Sequence, residues 1–159
     1  MVRSPRKKKP ASADRAVLRV IDANLNRARE GLRVCEEVAR FILENAPLTA
    51  RLQKLRYALD RTVVRQIPVA ALFSARDIRS DPGRPALRRH AGGHRRYYDL
   101  ACANIRRVQE ALRVLEEFSR ISFPRAGRSF AALRFKTYAI EQTLYRRLSS
   151  LSGDRKSVV

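Results

Sequence analysis

The sequence predicts an all-α protein built from two related halves. Apolar residues recur with helical spacing in several segments, one long pattern occurs twice, and proline and glycine concentrate in the middle of the chain. The chain has 159 residues, which is enough for one domain with a substantial core. We therefore expect two helical hairpins, related by a pseudo-two-fold axis, packed as a four-helix bundle with a long central connection.

The first half contains two predicted helices. In residues 13–45 the apolar side chains, among them Ala28, Leu32 and Cys35, share one arc at about 100° per residue, which is typical of an amphipathic helix. Asn45-Ala46-Pro47 ends this helix, and an apolar series from Leu48 to Val63 predicts the next one. The short link predicts an antiparallel hairpin.

The second half repeats this plan. Residues 98–122 form the third predicted helix, which ends at Phe123-Pro124, and the apolar series from Phe130 to Leu148 predicts the fourth. Segments 23–37 and 103–117 keep one asparagine, two arginines, three glutamates and the apolar positions in register at a spacing of 80 residues, and Arg40 and Arg120 extend the match. Such a register indicates an internal duplication.

The predicted domain covers residues 13–151. Its halves are 13–65 and 98–151, and tails cover 1–12 and 152–159. The connection 66–97 is rich in proline and glycine, so it is predicted to be mainly loop with one helical turn near 69–73. A connection of this length in a compact domain is usually functional or disordered.

The composition indicates the cellular compartment and the kinds of partner that we expect for this protein. Cys35 and Cys102 have neither the number nor the spacing of a disulfide scaffold, and no apolar run reaches the roughly 20 residues that cross a bilayer, so a reduced cytoplasmic protein without a membrane partner is expected. The net charge of +20 attracts polyanions. The basic tail 1–12 and the basic run 84–96 contribute to it and keep a nucleic-acid-binding protein open as an alternative. A homodimer is compatible with the sequence.

Two polar residues in each half occupy positions where apolar ones belong. Asn24 falls at the centre of the apolar arc and Arg27 at its edge, and Asn104 and Arg107 repeat this in the second half. Burying an amide or half-burying a guanidinium is costly unless it is hydrogen-bonded. Either each Asn bridges helices and each Arg pairs with the Glu three residues on, or the four side chains line a central cleft that binds phosphate.

Further polar candidates lie in the connection and in the last helix. Arg76-Asp77 and the carboxylate of Asp81, which precedes Pro82-Gly83, suit either Mg²⁺ binding or loop capping. Gly92-Gly93 between His90 and His94 prevents a helical metal-binding pair. Three side chains flank the apolar stripe of the fourth helix, where an interhelical salt bridge is the alternative to a ligand contact: Arg134, Tyr138 and Glu141.

Several of these stretches together resemble one known family. They are Ile21-Asp22-Ala23-Asn24-Leu25-Asn26-Arg27, Glu30-Gly31-Leu32-Arg33-Val34, Ala75-Arg76-Asp77 with Asp81-Pro82-Gly83, Ala103-Asn104 with 107–117, and Arg134-Phe135 with Tyr138 and Glu141. From about residue 19 to 148 the chain is similar to the helical domain that is fused in front of thiamine-phosphate synthase in many bacteria. This domain also occurs alone and has been proposed as a non-classical hydroxymethylpyrimidine-phosphate kinase.

The resemblance implies a phosphotransferase of thiamin biosynthesis that converts hydroxymethylpyrimidine phosphate to the diphosphate with a nucleoside triphosphate and Mg²⁺. It implies phosphate contacts by arginines, a metal held by carboxylates, a pyrimidine or ribose held by amides, and a lid formed by 66–96. The corresponding residues are Arg27, Arg76, Arg107 and Arg134 for phosphates, Asp77 and Asp81 for Mg²⁺, and Asn24 and Asn104 for the ring, with Tyr138 and Glu141 as further substrate contacts. The alternative is a non-catalytic module that binds the ligand or docks on a separate thiamine-phosphate synthase.

Overall fold

The computed structural model describes residues 12–77, 82, 93 and 96–154, and this part of the chain is all-helical. It contains five α-helices and one π-helical turn. The elements are α1 (Ser12–Glu37), the π-helical turn (Val38–Ile42), α2 (Ala46–Gln66), α3 (Val69–Ala75), α4 (Tyr97–Ser122) and α5 (Pro124–Asp154).

The predicted helices are confirmed, with one difference near residue 38. There α1 continues as the π-helical turn, after which the Leu43 N–H bonds the Val38 carbonyl and the Asn45 N–H bonds the Ala39 carbonyl. Glu44 has a left-handed φ of 46°, which turns the chain toward α2. A π-helical turn adds a residue to the helical path, a change that the apolar spacing does not reveal.

Local signals fix where the following helices begin. The Asn45 side chain accepts a hydrogen bond from the Leu48 N–H at 2.9 Å and caps α2, and Pro47 fits the first turn of the helix. Pro124 opens α5 in the same way. The expected turn near 69–73 is present as α3, although residues 78–81, 83–92 and 94–95 of the connection lie outside the described part.

The core lies between the long helices. The α4 helix packs against both α1 and α5, while α2 contacts α1 and α5, and α3 packs on α1. At the α1–α4 crossing, a Cβ on Gly31 would lie 2.7 Å from Val108 Cγ2 and 2.9 Å from the Asn104 carbonyl oxygen. Glycine therefore lets the two backbones approach closely at this point.

Helix α5 runs antiparallel to α2. The Gln66 amide donates to Ser129 Oγ at 3.1 Å near one end of the contact, and the Arg51 guanidinium donates to Thr143 Oγ1 at 3.2 Å near the other.

Within the described part of the chain, no helix is both long and apolar enough to span a membrane.

Candidate functional site

One cleft collects several of the polar residues that the sequence singled out. Its volume is about 690 Å³, within the usual range for small-molecule sites. The N-terminal half of α1 forms one wall, the segment after α3 forms another, and Val114 contributes from α4. We call it the α1 cleft, and its polar lining is Arg19, Asp22, Asn24, Asn26, Arg27, Arg76 and Asp77.

An ion pair fixes the segment after α3 against α1. Arg76 donates from Nε and Nη2 to the two carboxylate oxygens of Asp22, each at 2.7 Å. Asp22 is 8% exposed, whereas Arg76 remains accessible from the cleft. The hydrogen bonds and the charge of Asp22 raise the pKa of Arg76. Arg76 is therefore an anchor of the cleft wall as well as a cation within the cleft.

Asn24 and Arg27 both reach the cleft but do not make the contacts expected of a structural pair. The Asn24 amide donates to the Val20 carbonyl at 2.8 Å, within its own helix, so it does not bridge two helices. Its Oδ1 accepts a 3.4 Å hydrogen bond from Arg27. The expectation that Arg27 is half-buried is wrong, because its side chain leaves the apolar arc and is exposed to solvent.

The second copy, Asn104 and Arg107, lies elsewhere. Asn104 is buried at the α1–α4 crossing and donates to the Leu100 carbonyl at 2.9 Å, while Arg107 is exposed. Neither residue lines the α1 cleft. Among the ion pairs of the described residues, Arg27 is not joined to Glu30 nor Arg107 to Glu110, so the structural pairing considered as an alternative is wrong.

Of the two expected metal ligands, only one lies in the described part of the chain. Asp77 is at the cleft wall, where Arg19 donates to its backbone carbonyl at 3.5 Å, whereas Asp81 lies outside the described residues. No cluster of three or more His, Cys, Asp or Glu side chains is found in the described part. Mg²⁺ commonly uses one or two protein carboxylates together with substrate phosphates. The carboxylate of Asp77 is therefore a suitable type of ligand for Mg²⁺.

Arg134 makes an interhelical ion pair instead of lining the α1 cleft. It donates from Nε and Nη2 to one oxygen of Glu116 at 3.1 and 3.0 Å, and from Nη1 to the Tyr138 hydroxyl at 2.8 Å. Glu141 accepts a 2.8 Å hydrogen bond from Gln109 on α4. The salt bridge considered as the alternative for these residues is therefore present, and their ligand contacts stay a prediction.

A buried carboxylate in each half was missed by the sequence analysis. Glu36 is 1% exposed and accepts hydrogen bonds from Arg33, Arg56 and Gln53, while Glu116 is 3% exposed and accepts from Arg113, Arg120 and Arg134. The cross-helix partners occur in matching triplets, Leu55-Arg56-Tyr57 and Leu133-Arg134-Phe135. These triplets, 78 residues apart, were the signal that could have identified the pair.

Comparison with known proteins decides the family. The sequence profile described as the ThiD2 family matches residues 19–143, which is most of the chain. The chain belongs to the ThiD2 family. The match includes every residue that lines the α1 cleft from Arg19 onward.

This ThiD2-family chain is also similar to proteins named thiamine-phosphate synthase. It is 37% identical to the one from Thermosynechococcus vestitus over 155 residues, covering 94% of this chain and 43% of that protein. It is 42% identical to that of Synechocystis sp. over 129 residues, covering 81% and 36% respectively. The chain thus spans less than half the length of these relatives. No solved structure matches it significantly.

Proposed function

We propose that this chain acts in thiamin biosynthesis and phosphorylates hydroxymethylpyrimidine phosphate to the diphosphate with a nucleoside triphosphate. The observation that carries the proposal is the α1 cleft within a ThiD2-family chain, because Arg19, Arg27 and Arg76 surround a space large enough for a small phosphorylated ring. Arginine suits this task because its planar guanidinium can hold two phosphate oxygens at once.

The chemistry of the acceptor phosphate explains why cationic side chains are the most important groups for the proposed phosphoryl transfer. A phosphate monoester is largely ionised at neutral pH, so its oxygen can attack without a general base. The attacking oxygen bonds to the γ-phosphorus while the bond to the β–γ bridging oxygen breaks, and the nucleoside diphosphate leaves. Two anions must meet in this step, so positioning and charge neutralisation supply most of the catalysis.

Each polar residue of the cleft has a role in this proposal. Arg27 contacts the acceptor phosphate, since it is exposed and its described partner is only a 3.4 Å bond to Asn24. Arg76 uses Nη1 for a phosphate while Nε and Nη2 stay on Asp22. Asn24 and Asn26 provide amide groups for the polar edge of the pyrimidine.

Magnesium would be held by Asp77 together with phosphate oxygens, and Asp81 is its expected second carboxylate. When bound, the ion would neutralise charge that develops on the transferred phosphoryl group. Water exclusion stays a prediction for the connection 66–96, of which residues 78–81, 83–92 and 94–95 lie outside the described part.

We also propose that the two halves are duplicated hairpins in a pseudo-two-fold four-helix bundle, and that only the first half keeps the ligand contacts. The matching Glu36–Arg56 and Glu116–Arg134 pairs support the duplication. The α1 cleft supports the asymmetry, because Asn24 and Arg27 line it and Asn104 and Arg107 do not. This proposal departs from the roles that the resemblance implies for Arg107 and Arg134, because it gives their phosphate contacts to Arg27 and Arg76.

The test is a direct assay of the purified chain. It is incubated with hydroxymethylpyrimidine phosphate, Mg²⁺ and, separately, ATP, CTP, GTP or UTP, and the diphosphate is detected by ³¹P NMR. We expect turnover with at least one donor and its loss in Arg27→Ala. Binding of the pyrimidine phosphate without turnover with any donor would reject the kinase and favour a non-catalytic module, and absence of binding would reject both.

A further inference from the structure

A second concave surface lies on the opposite helix pair, between α2 and α5. Its central part has a volume of about 270 Å³ and carries four cations, Arg51, Lys54, Arg61 and Lys136. The floor between them is apolar: Ala139 is exposed and Ala58 partly exposed, while Leu55, Leu133 and Ile140 also line it and are buried. We call it the α2–α5 groove, and the proposed kinase activity does not use it.

Carboxylates are directed away from this groove. The acidic residue of α2, Asp60, pairs at 2.8 Å with Arg29 of α1. On α5, Glu141 is held by Gln109 and Arg106 of α4. Both carboxylates therefore neutralise cations on α1 and α4, and the positive charge of the groove is not neutralised by them.

The groove cations contrast with several arginines of α1 and α4. Arg33, Arg113 and Arg120 each form ion pairs with glutamates. Within the described part of the chain, none of the four groove cations has an ion pair, although Arg51 donates to the Thr143 hydroxyl. Unpaired like charges repel one another, so an anionic partner would relieve an existing cost.

The positive surface extends along the helix pair. Arg65 of α2 lies with Arg125 and Arg128 of α5 at one end. At the other end Arg147 lies with Arg51, and Glu44 is the one carboxylate that the lining there includes. At a rise of 1.5 Å per residue, the 14 steps from Arg51 to Arg65 span about 21 Å. A surface of this length matches an elongated ligand better than a single small anion.

We propose that the α2–α5 groove docks an acidic amphipathic helix of a partner protein. An apolar face of such a helix would cover the floor, where Ala58 and Ala139 leave room, and carboxylates on its two flanks would meet cations on both walls. A nucleic-acid backbone would satisfy the cations but would leave the apolar floor without a complementary surface. The helix is therefore the ligand that uses both features of the groove.

The probe is a synthetic 18-residue helix with leucine along one face and glutamate on the flanks, compared with a scrambled peptide of the same composition. Binding to the whole chain is followed by fluorescence anisotropy at two salt concentrations. We expect the amphipathic peptide to bind about tenfold or more tightly than the scrambled one, and binding to weaken as salt screens the charges.

A matched pair of variants locates the site. The first variant reverses three groove cations: Lys54→Glu/Arg61→Glu/Lys136→Glu. The second variant makes the same change in net charge at exposed arginines that do not line the groove: Arg15→Glu/Arg40→Glu/Arg146→Glu. We expect about a tenfold or larger loss of peptide binding in the first variant and a much smaller loss in the second. Thermal melts check that both variants are folded.

A second measurement does not depend on any variant. In wild-type protein, amide NMR shifts on peptide addition should be largest around Ala58 and Ala139. Equal binding of the scrambled peptide, equal loss in both variants, shifts centred elsewhere, or tighter binding of duplex DNA with the same sensitivity to groove reversal would each overturn the proposal.

Discussion

Arg76 holds Asp22 with two hydrogen bonds of 2.7 Å across a sequence separation of 54 residues. This pair joins the segment after α3 to α1 and thereby brings Asp77 to the same cleft as Asn24. Because Asp22 is almost fully buried, Arg76 is the partner that neutralises its carboxylate. The position of the cleft wall after α3 relative to α1 therefore depends on this one long-range contact.

Removing this anchor should destabilise the fold. In Arg76→Ala the Asp22 carboxylate loses its partner, and we expect a loss of about 1 to 3 kcal/mol in the free energy of unfolding, measured with urea. Asp22→Asn in the same background should recover part of the loss because no buried charge remains. If the two substitutions were simply additive, the pair would not be coupled in the way described.

The buried Glu36 should make stability depend on acid pH. Burial opposes its ionisation, but hydrogen bonds from Arg56 and Gln53 and the charges of Arg56 and Arg33 outweigh it, so the pKa of Glu36 is lowered. A carboxyl with a lower pKa in the folded chain stabilises the fold above the unfolded value of about 4.3. That contribution is lost as the pH falls through the folded pKa.

Glu36→Gln should therefore lower the melting temperature at pH 7 and flatten its decline as the pH falls below the unfolded pKa of about 4.3. The control is Glu37→Gln, which removes the neighbouring, more exposed carboxylate and leaves Glu36 in place. It should keep most of the acid-dependent decline. Identical pH profiles for wild type and Glu36→Gln would contradict the assignment.

Cys35 should be unreactive while the protein is folded. Burial, with a smaller effect of Cys102, raises the pKa of the Cys35 thiol to about 12, and the thiol contacts the Ala101 carbonyl at 3.7 Å. Only the thiolate reacts with disulfide reagents. In Cys102→Ala at pH 8, labelling by Ellman's reagent should be slow until denaturant is added, whereas Cys35→Ala should label faster because Cys102 is partly exposed. Rapid labelling of native Cys102→Ala would show that Cys35 is accessible.

Gly31 is required by the helix crossing and not by its backbone conformation. In Gly31→Ala the new Cβ would meet the Asn104 carbonyl oxygen at 2.9 Å, so α1 and α4 must separate. We expect a net loss of about 1 to 3 kcal/mol despite the better helix propensity of alanine. Gly93→Ala is the control, since no heavy atom of the described residues lies within 4 Å of its added Cβ, its two chain neighbours aside. Unchanged stability of Gly31→Ala would show that the crossing is looser than described.

The helices were predictable because apolar spacing, proline and asparagine act locally. Residues 98–122 were expected as a helix that the structure places at Tyr97–Ser122. Glu36 was missed because Glu36 and Glu37 are chemically alike and only the direction of the side chain distinguishes them. Its neutralising partner, Arg56, lies on the next helix, and the predicted hairpin does not specify which residues of the two helices face each other.

The candidate site was predictable only in part for the same reason. The pattern marked Asn24 and Arg27 as unusual, but a helical wheel gives an angle and not the depth to which neighbouring helices cover it. Arg27 is consequently exposed where half-burial was expected. The role of Asp22 required knowledge of its contact with Arg76, which forms only when the connection folds back onto α1.

The affinity of hydroxymethylpyrimidine phosphate for wild type, Arg27→Ala and Arg107→Ala, measured by calorimetry, tests the α1 cleft most directly. The two arginines occupy equivalent positions in the repeat and both are exposed, but only Arg27 lines the cleft. We predict that Arg27→Ala weakens binding about tenfold or more with an unchanged melting temperature, while Arg107→Ala binds like wild type. Equal affinities for all three proteins, or a loss confined to Arg107→Ala, would contradict the account.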